Sequence, residues 1–142
     1  MAENSQNATM RIAAELASLE PLQVFVREQA HALALPEEYH LKLELVMEEL
    51  VVNVFSYAYP DHIGDIEVEC YLRQDQPRFC VTIRDWGAAF NPLDQAPPDT
   101  QLSCEDRQIG GLGIFLANEM TDSLSYQYTG ATNEVTFCFN LS

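Results

Sequence analysis

Glu49-Leu50-Val51-Val52-Asn53 sits inside an apolar run from Leu41 to Tyr59. Residues four apart on a helix are neighbours, with Cβ atoms roughly 5–6 Å apart. If the run is helical, Glu49 and Asn53 project together. A carboxylate beside an amide on a mostly apolar helix is either a satisfied polar pair in a core or half of a reactive site. From Leu41 onward the run is apolar over most of its circumference, the pattern of a central buried helix. The helical wheel puts Glu49 and Asn53 at one margin of a stripe made by Leu43, Val46, Leu50, Val54 and Tyr57. Pro36-Glu37-Glu38 opens this helix, with proline in the first turn and acids against the positive end of the dipole. It runs to about Tyr59, where Pro60-Asp61 stops it.

Before this helix, Leu16, Leu19, Leu22, Phe25, Val26, Ala30 and Leu33 recur at helical spacing. They predict a second helix that starts near Ser18, carries Pro21 in its first turn and stops before Leu35-Pro36. Met10 to Ala14 is a short strand candidate, and residues 1–8 read as a flexible start.

After it, Asp65 to Arg73 alternates, with Ile66, Val68, Cys70 and Leu72 on one face. Gln74-Asp75-Gln76-Pro77 is a turn, so Arg78 to Asp85 is the antiparallel partner. Its inward residues are Phe79, Val81, Ile83 and Asp85, which points an aspartate toward the core. Gly87 to Ile109 has little regular signal, and structureless loops longer than about 12–15 residues are usually functional or disordered. A short helix, Ile114 to Met120, follows, then a hairpin of Ser123 to Tyr128 and Asn133 to Leu141. The order β, α, α, β, β, loop, α, β, β predicts an α+β fold. The expected architecture is a two-layer α/β sandwich, a mostly antiparallel mixed sheet with helices on one face. The whole chain, 1–142, reads as one domain.

Seven Lys and Arg against 22 Asp and Glu give a net charge of −15, which disfavours nucleic-acid binding. The charge promotes solubility, and the sharper alternative is a basic protein partner. No stretch reaches the roughly 20 apolar residues of a membrane span, and the polar N-terminus does not read as a signal peptide. The expected location is the cytoplasm. Cys70, Cys80, Cys104 and Cys138 form no Cys-x-x-Cys pair and no ligand spacing with His31, His40 or His62. They are expected to be free, partly buried thiols, as in a reducing compartment.

Two further clusters bear on the opening pair. Asp85 on a core face is either a turn-capping residue or a carboxylate waiting for a ligand amine, such as the exocyclic amine of adenine. Gly87 would then let a base lie against backbone. Gly110-Gly111-Leu112-Gly113 precedes a helix; it is either an ordinary hinge or a backbone cradle for an anion. Arg107, the only basic residue after Arg84, supports the second reading. Asn53 can then offer a carbonyl oxygen to a hard cation, and Glu49 can accept a hydroxyl proton.

Taken together, Glu49-x-x-x-Asn53, Asp85-x-Gly87-x-x-Phe90 and Gly111-x-Gly113 resemble the Bergerat ATP-binding fold of gyrase, histidine kinases and MutL-type ATPases. The small size and short lid resemble most the anti-sigma factor serine/threonine kinases, over about residues 8–141. The resemblance implies that Asn53 holds Mg2+ between protein and ATP phosphates. It implies that Glu49 is the general base on a serine or threonine, and that Asp85 selects adenine with Gly87 making room. Gly110, Gly111, Gly113 and Arg107 would attend the phosphates, under a lid at 93–109. Implied partners are an anti-anti-sigma protein as phosphoryl acceptor and a sigma factor, and homodimers are common in such a family. A nucleotide-sensing switch without transfer activity is the alternative. The sequence departs from the family at Ala131-Thr132-Asn133, where Gly-Thr is usual, so no adenine role is assigned there.

Overall fold

A computed structural model of the chain describes residues 7–74, 76–94 and 116–141. Five strands form one sheet in the order β1-β2-β3-β5-β4, where β1 is Ala8–Ala13, β2 Asp65–Arg73, β3 Arg78–Asp85, β4 Ser123–Tyr128 and β5 Asn133–Asn140. Helix α1 spans Leu19–Ala32 and α2 spans His40–Tyr57. All the pairings are antiparallel, so the mixed character expected of the sheet is absent among the described strands.

Alternation explains the layering. Ile66, Val68, Phe79, Val81, Ile83, Val135, Phe137 and Phe139 point to one face and join a single core with Leu22 and Val26 of α1 and Leu43, Val46, Met47, Leu50, Val51 and Val54 of α2. Burying such side chains is worth about 1.5–3 kcal/mol each. The opposite face of the sheet is polar. There Arg84 holds Glu69 at 2.8 Å and Glu134 at 2.7 Å, and the hydroxyls of Thr82 and Thr136 meet at 2.8 Å.

Helix boundaries shift slightly from expectation. Single 3-10 turns, Leu16–Ser18 and Glu37–Tyr39, precede α1 and α2. Pro21 still falls in the first turn of α1, where the missing N–H costs nothing. Two stripe residues are not core: Leu16 is 70 % exposed and Tyr57 is 47 % exposed. Leu16 lies in the 3-10 turn ahead of α1 and Tyr57 is the last residue of α2, so wheel position does not imply burial at these ends. Residues 7 and 8 are not part of a flexible start, because Ala8 opens β1 and the Asn7 amide donates to Glu69 at 2.9 Å.

The expectation of free thiols is overturned at two positions. Cys80 and Cys138 stand directly opposite on β3 and β5, with Cα atoms 4.2 Å apart, and are joined by a disulfide. Strand register, not sequence spacing, brings them together across a separation of 58 residues. Cys70 is free and buried on the core face, and burial pushes its thiol up to about 12. Cys104 lies outside the described residues.

Candidate functional site

Asp85 closes β3 opposite Ile66 of β2 and Asn133 of β5. Strand parity turns it toward the helices, as expected, and it is only 7 % exposed. The described hydrogen bonds to it both end on Oδ1: the Gly87 N–H donates at 2.9 Å and Asn133 Nδ2 donates at 2.9 Å. Among the described residues no donor reaches Oδ2. A carboxylate oxygen left without a protein donor can accept from a ligand.

The facing wall comes from the second half of α2. Leu50, Asn53, Val54, Tyr57 and Ala58 line a cleft whose other side is formed by Ile83, Asp85, Asn133 and Val135, with Ala88, Phe90 and Pro92 at its lip. The cleft measures about 440 Å3, counting the space that opens to solvent. Its lining is apolar with a few convergent polar groups, as in small-ligand sites. The ring of Phe90 lies 6.3 Å from that of Tyr57.

Asn53 and Asp85, distant in sequence, therefore face one space. Glu49 does not line it. One turn back along α2, Glu49 is half-buried beside the exposed Glu48. Its carboxyl is pushed above the ordinary glutamate value, first by burial and then by the Glu48 charge. A raised carboxyl is a stronger proton acceptor when ionised, which suits a general base.

Gly87 is needed, though for a reason the sequence did not suggest. A Cβ there would lie 2.3 Å from the carbonyl oxygen of Ala58. The close approach is to the last turn of α2. The glycine lets the Asp85 turn seat against the helix that carries Asn53, and so sets the width of the cleft. Tyr59 reinforces the joint: its hydroxyl donates to Asp65 O at 2.6 Å and accepts from Trp86 N–H at 2.7 Å.

Asn133 was not singled out from sequence, yet it is the most heavily bonded side chain of the cleft. Its place in the alternation with Val135 and Phe137 already put it on the core face. Arg107, Gly110, Gly111 and Gly113, and the lid beyond residue 94, lie outside the described residues. Residues 116–120 are helical, and Ala117 from this stretch is buried in the core. No helix among the described residues is long and apolar enough to cross a membrane.

Comparison with known proteins adds to this geometry. Residues 12–139 match the histidine kinase-like ATPase domain. Over 95 residues the chain is 34% identical to the serine/threonine-protein kinase BtrW of Bordetella bronchiseptica, a match covering 66% of each protein. Over 132 residues it is 21% identical to the serine-protein kinase RsbW of Bacillus mycoides, covering 90% of this chain and 81% of that one. RsbW of Bacillus cereus matches similarly, 21% identical over 130 residues.

Proposed function

Because the chain belongs to the histidine kinase-like ATPase domain family, we propose that its cleft binds ATP and that the protein transfers the terminal phosphoryl group to a serine or threonine of an acceptor protein. The observation that carries this reading is the convergence of Asn53 and Asp85 on one cleft from opposite layers. The description of its relatives as protein kinases supports the transfer step. The match spans 66% of the BtrW kinase, so the activity rests on the site as well as on that likeness.

The residues divide the work. Asp85 Oδ2 accepts from the exocyclic amine of adenine, while Oδ1 stays bonded to the protein. Apolar Leu50, Val54, Ile83 and Val135 hold the base and exclude water from that bond. Asn53 offers an amide oxygen, the hard donor that suits magnesium, which keeps most of its waters and binds few protein ligands. When bound, Mg2+ supplies charge neutralisation at the phosphates. Gly110, Gly111, Gly113 and Arg107 are proposed to receive those phosphates under the lid at 93–109. Glu49 accepts the proton of the attacking hydroxyl as its oxygen bonds to the terminal phosphorus and the bond to ADP breaks. The proposed acceptor is an anti-anti-sigma protein, and the regulated partner is a sigma factor. The proposed setting is the cytoplasm, with the chain as one domain that can form homodimers.

A nucleotide-sensing switch without transfer is the second reading, and the position of Glu49 outside the cleft lining favours it. Radiolabelled ATP incubated with the protein and the products of neighbouring genes separates the two. The kinase reading expects label on a serine or threonine with wild type and none with Glu49→Ala, at equal ATP affinity. Wild type that binds ATP and labels no acceptor supports the switch instead.

A further inference from the structure

We infer that Asn133 is a positioning residue that determines base specificity, by fixing Asp85 as an acceptor toward the cleft. The inference rests on the nucleotide reading above and deepens it. The Asn133 side chain sits in a one-way network. Its oxygen accepts from the Phe90 N–H at 3.0 Å and from the Tyr126 hydroxyl. Its Nδ2 donates to Asp85 Oδ1 at 2.9 Å, Gly87 O at 3.2 Å and Ala88 O at 3.0 Å. A backbone N–H can only donate and a backbone carbonyl can only accept. Turning the amide over would set its NH2 against the Phe90 N–H and its oxygen against two carbonyls. The orientation is therefore locked by backbone, and Asn133 is only 5 % exposed.

The lock has a chemical consequence at Asp85. Oδ1 receives two protein donors, which hold the carboxylate plane. Oδ2 is left to accept from a ligand in the cleft that Asp85 lines. Such an oxygen binds an amine at the purine 6-position and opposes a 6-oxo group, whose oxygen would face it acceptor to acceptor. Sites built around a buried hydrogen bond reject the analogue lacking its partner far more strongly than apolar pockets reject a change in size. Asn133 also ties Gly87, Ala88 and Phe90 into the lip, so the donor and the wall it serves move together. The specificity thus lies one residue behind the group that touches the base.

The test compares ATP with inosine triphosphate, which carries oxygen in place of the exocyclic amine. Binding of each to the full chain is measured by calorimetry for wild type, Asn133→Ala and the isosteric Asn133→Asp, with folding checked by circular dichroism. Wild type is expected to prefer ATP at least tenfold, and both variants to lose most of that preference. A purely structural role would weaken both nucleotides equally and leave the ratio unchanged. If the alanine chain does not fold, the isosteric variant decides. Folded variants that keep the wild-type ratio, with Asp85→Asn still abolishing ATP binding, overturn this inference alone. A wild type that binds neither nucleotide overturns the nucleotide reading, and this inference with it.

Discussion

Glu49 shows how much one side chain's surroundings decide. Burial and the neighbouring Glu48 charge both hold its proton above the ordinary glutamate value. A general base must be ionised, so transfer should fail on acidification at a pH above the usual ~4.3 of glutamate. Glu48→Gln removes the like charge and should move that acidic limb downward in a pH–rate profile, leaving neutral-pH ATP affinity unchanged. The sign for stability is the reverse of a paired carboxylate. The folded chain holds this proton more tightly than the unfolded chain, so Glu49 subtracts stability as pH rises through the unfolded value. Glu49→Gln should therefore raise the melting temperature at neutral pH while stopping transfer, and a lowered melting temperature there would contradict the assignment. Asn133 is the counterexample in legibility. Nothing in its neighbours along the chain signals the role, because its partners are backbone groups of a loop more than forty residues away.

At the scale of elements, β2, β3 and β4 begin and end where alternation and turn residues place them. In β2 buried and part-exposed residues alternate, which makes its register legible in sequence. Helix α2 was legible too, because its apolar circumference matches its packing against both α1 and β3. The helix ends were harder, since periodicity says which face is apolar and not where the cover stops; Tyr57 and Leu16 are the cases. The meeting of α2 with the Asp85 turn was not legible. It depends on the Ala58 carbonyl approaching Gly87, a contact between elements distant in the chain. Gly87→Ala should force that joint open. We expect a loss of about 1–3 kcal/mol in urea denaturation, the usual cost of overpacking. ATP affinity should fall alongside, because Asn53 and Asp85 belong to the two elements being separated. An alanine variant with unchanged stability would show that the joint can yield.

Across the whole molecule, the sandwich is fastened at the sheet. The Cys80–Cys138 disulfide joins β3 to β5, the strands that also end in Asp85 and begin in Asn133. Cross-linking positions far apart in sequence restricts the unfolded chain, typically contributing about 2–4 kcal/mol. A reductant should lower the melting temperature of wild type, whereas Cys138→Ser should melt at the reduced wild-type temperature and ignore the reductant. Equal melting of oxidised and reduced wild type would deny the bond a role in stability. The net charge of −15 and the acid-rich open face of the sheet concern solubility and choice of partner, not the fold.

The central proposal is that Asp85 accepts from an adenine amine in the cleft between α2 and the sheet. Calorimetric titration of ATP into wild type and Asp85→Asn tests that claim most directly. The amide keeps the size of the carboxylate but removes its charge, and it can turn an NH2 toward the base. Wild type should bind, and the variant should lose at least about two orders of magnitude, consistent with a buried hydrogen bond replaced by a mismatched one. An Asp85→Asn chain that is folded and binds ATP as wild type does would contradict the account.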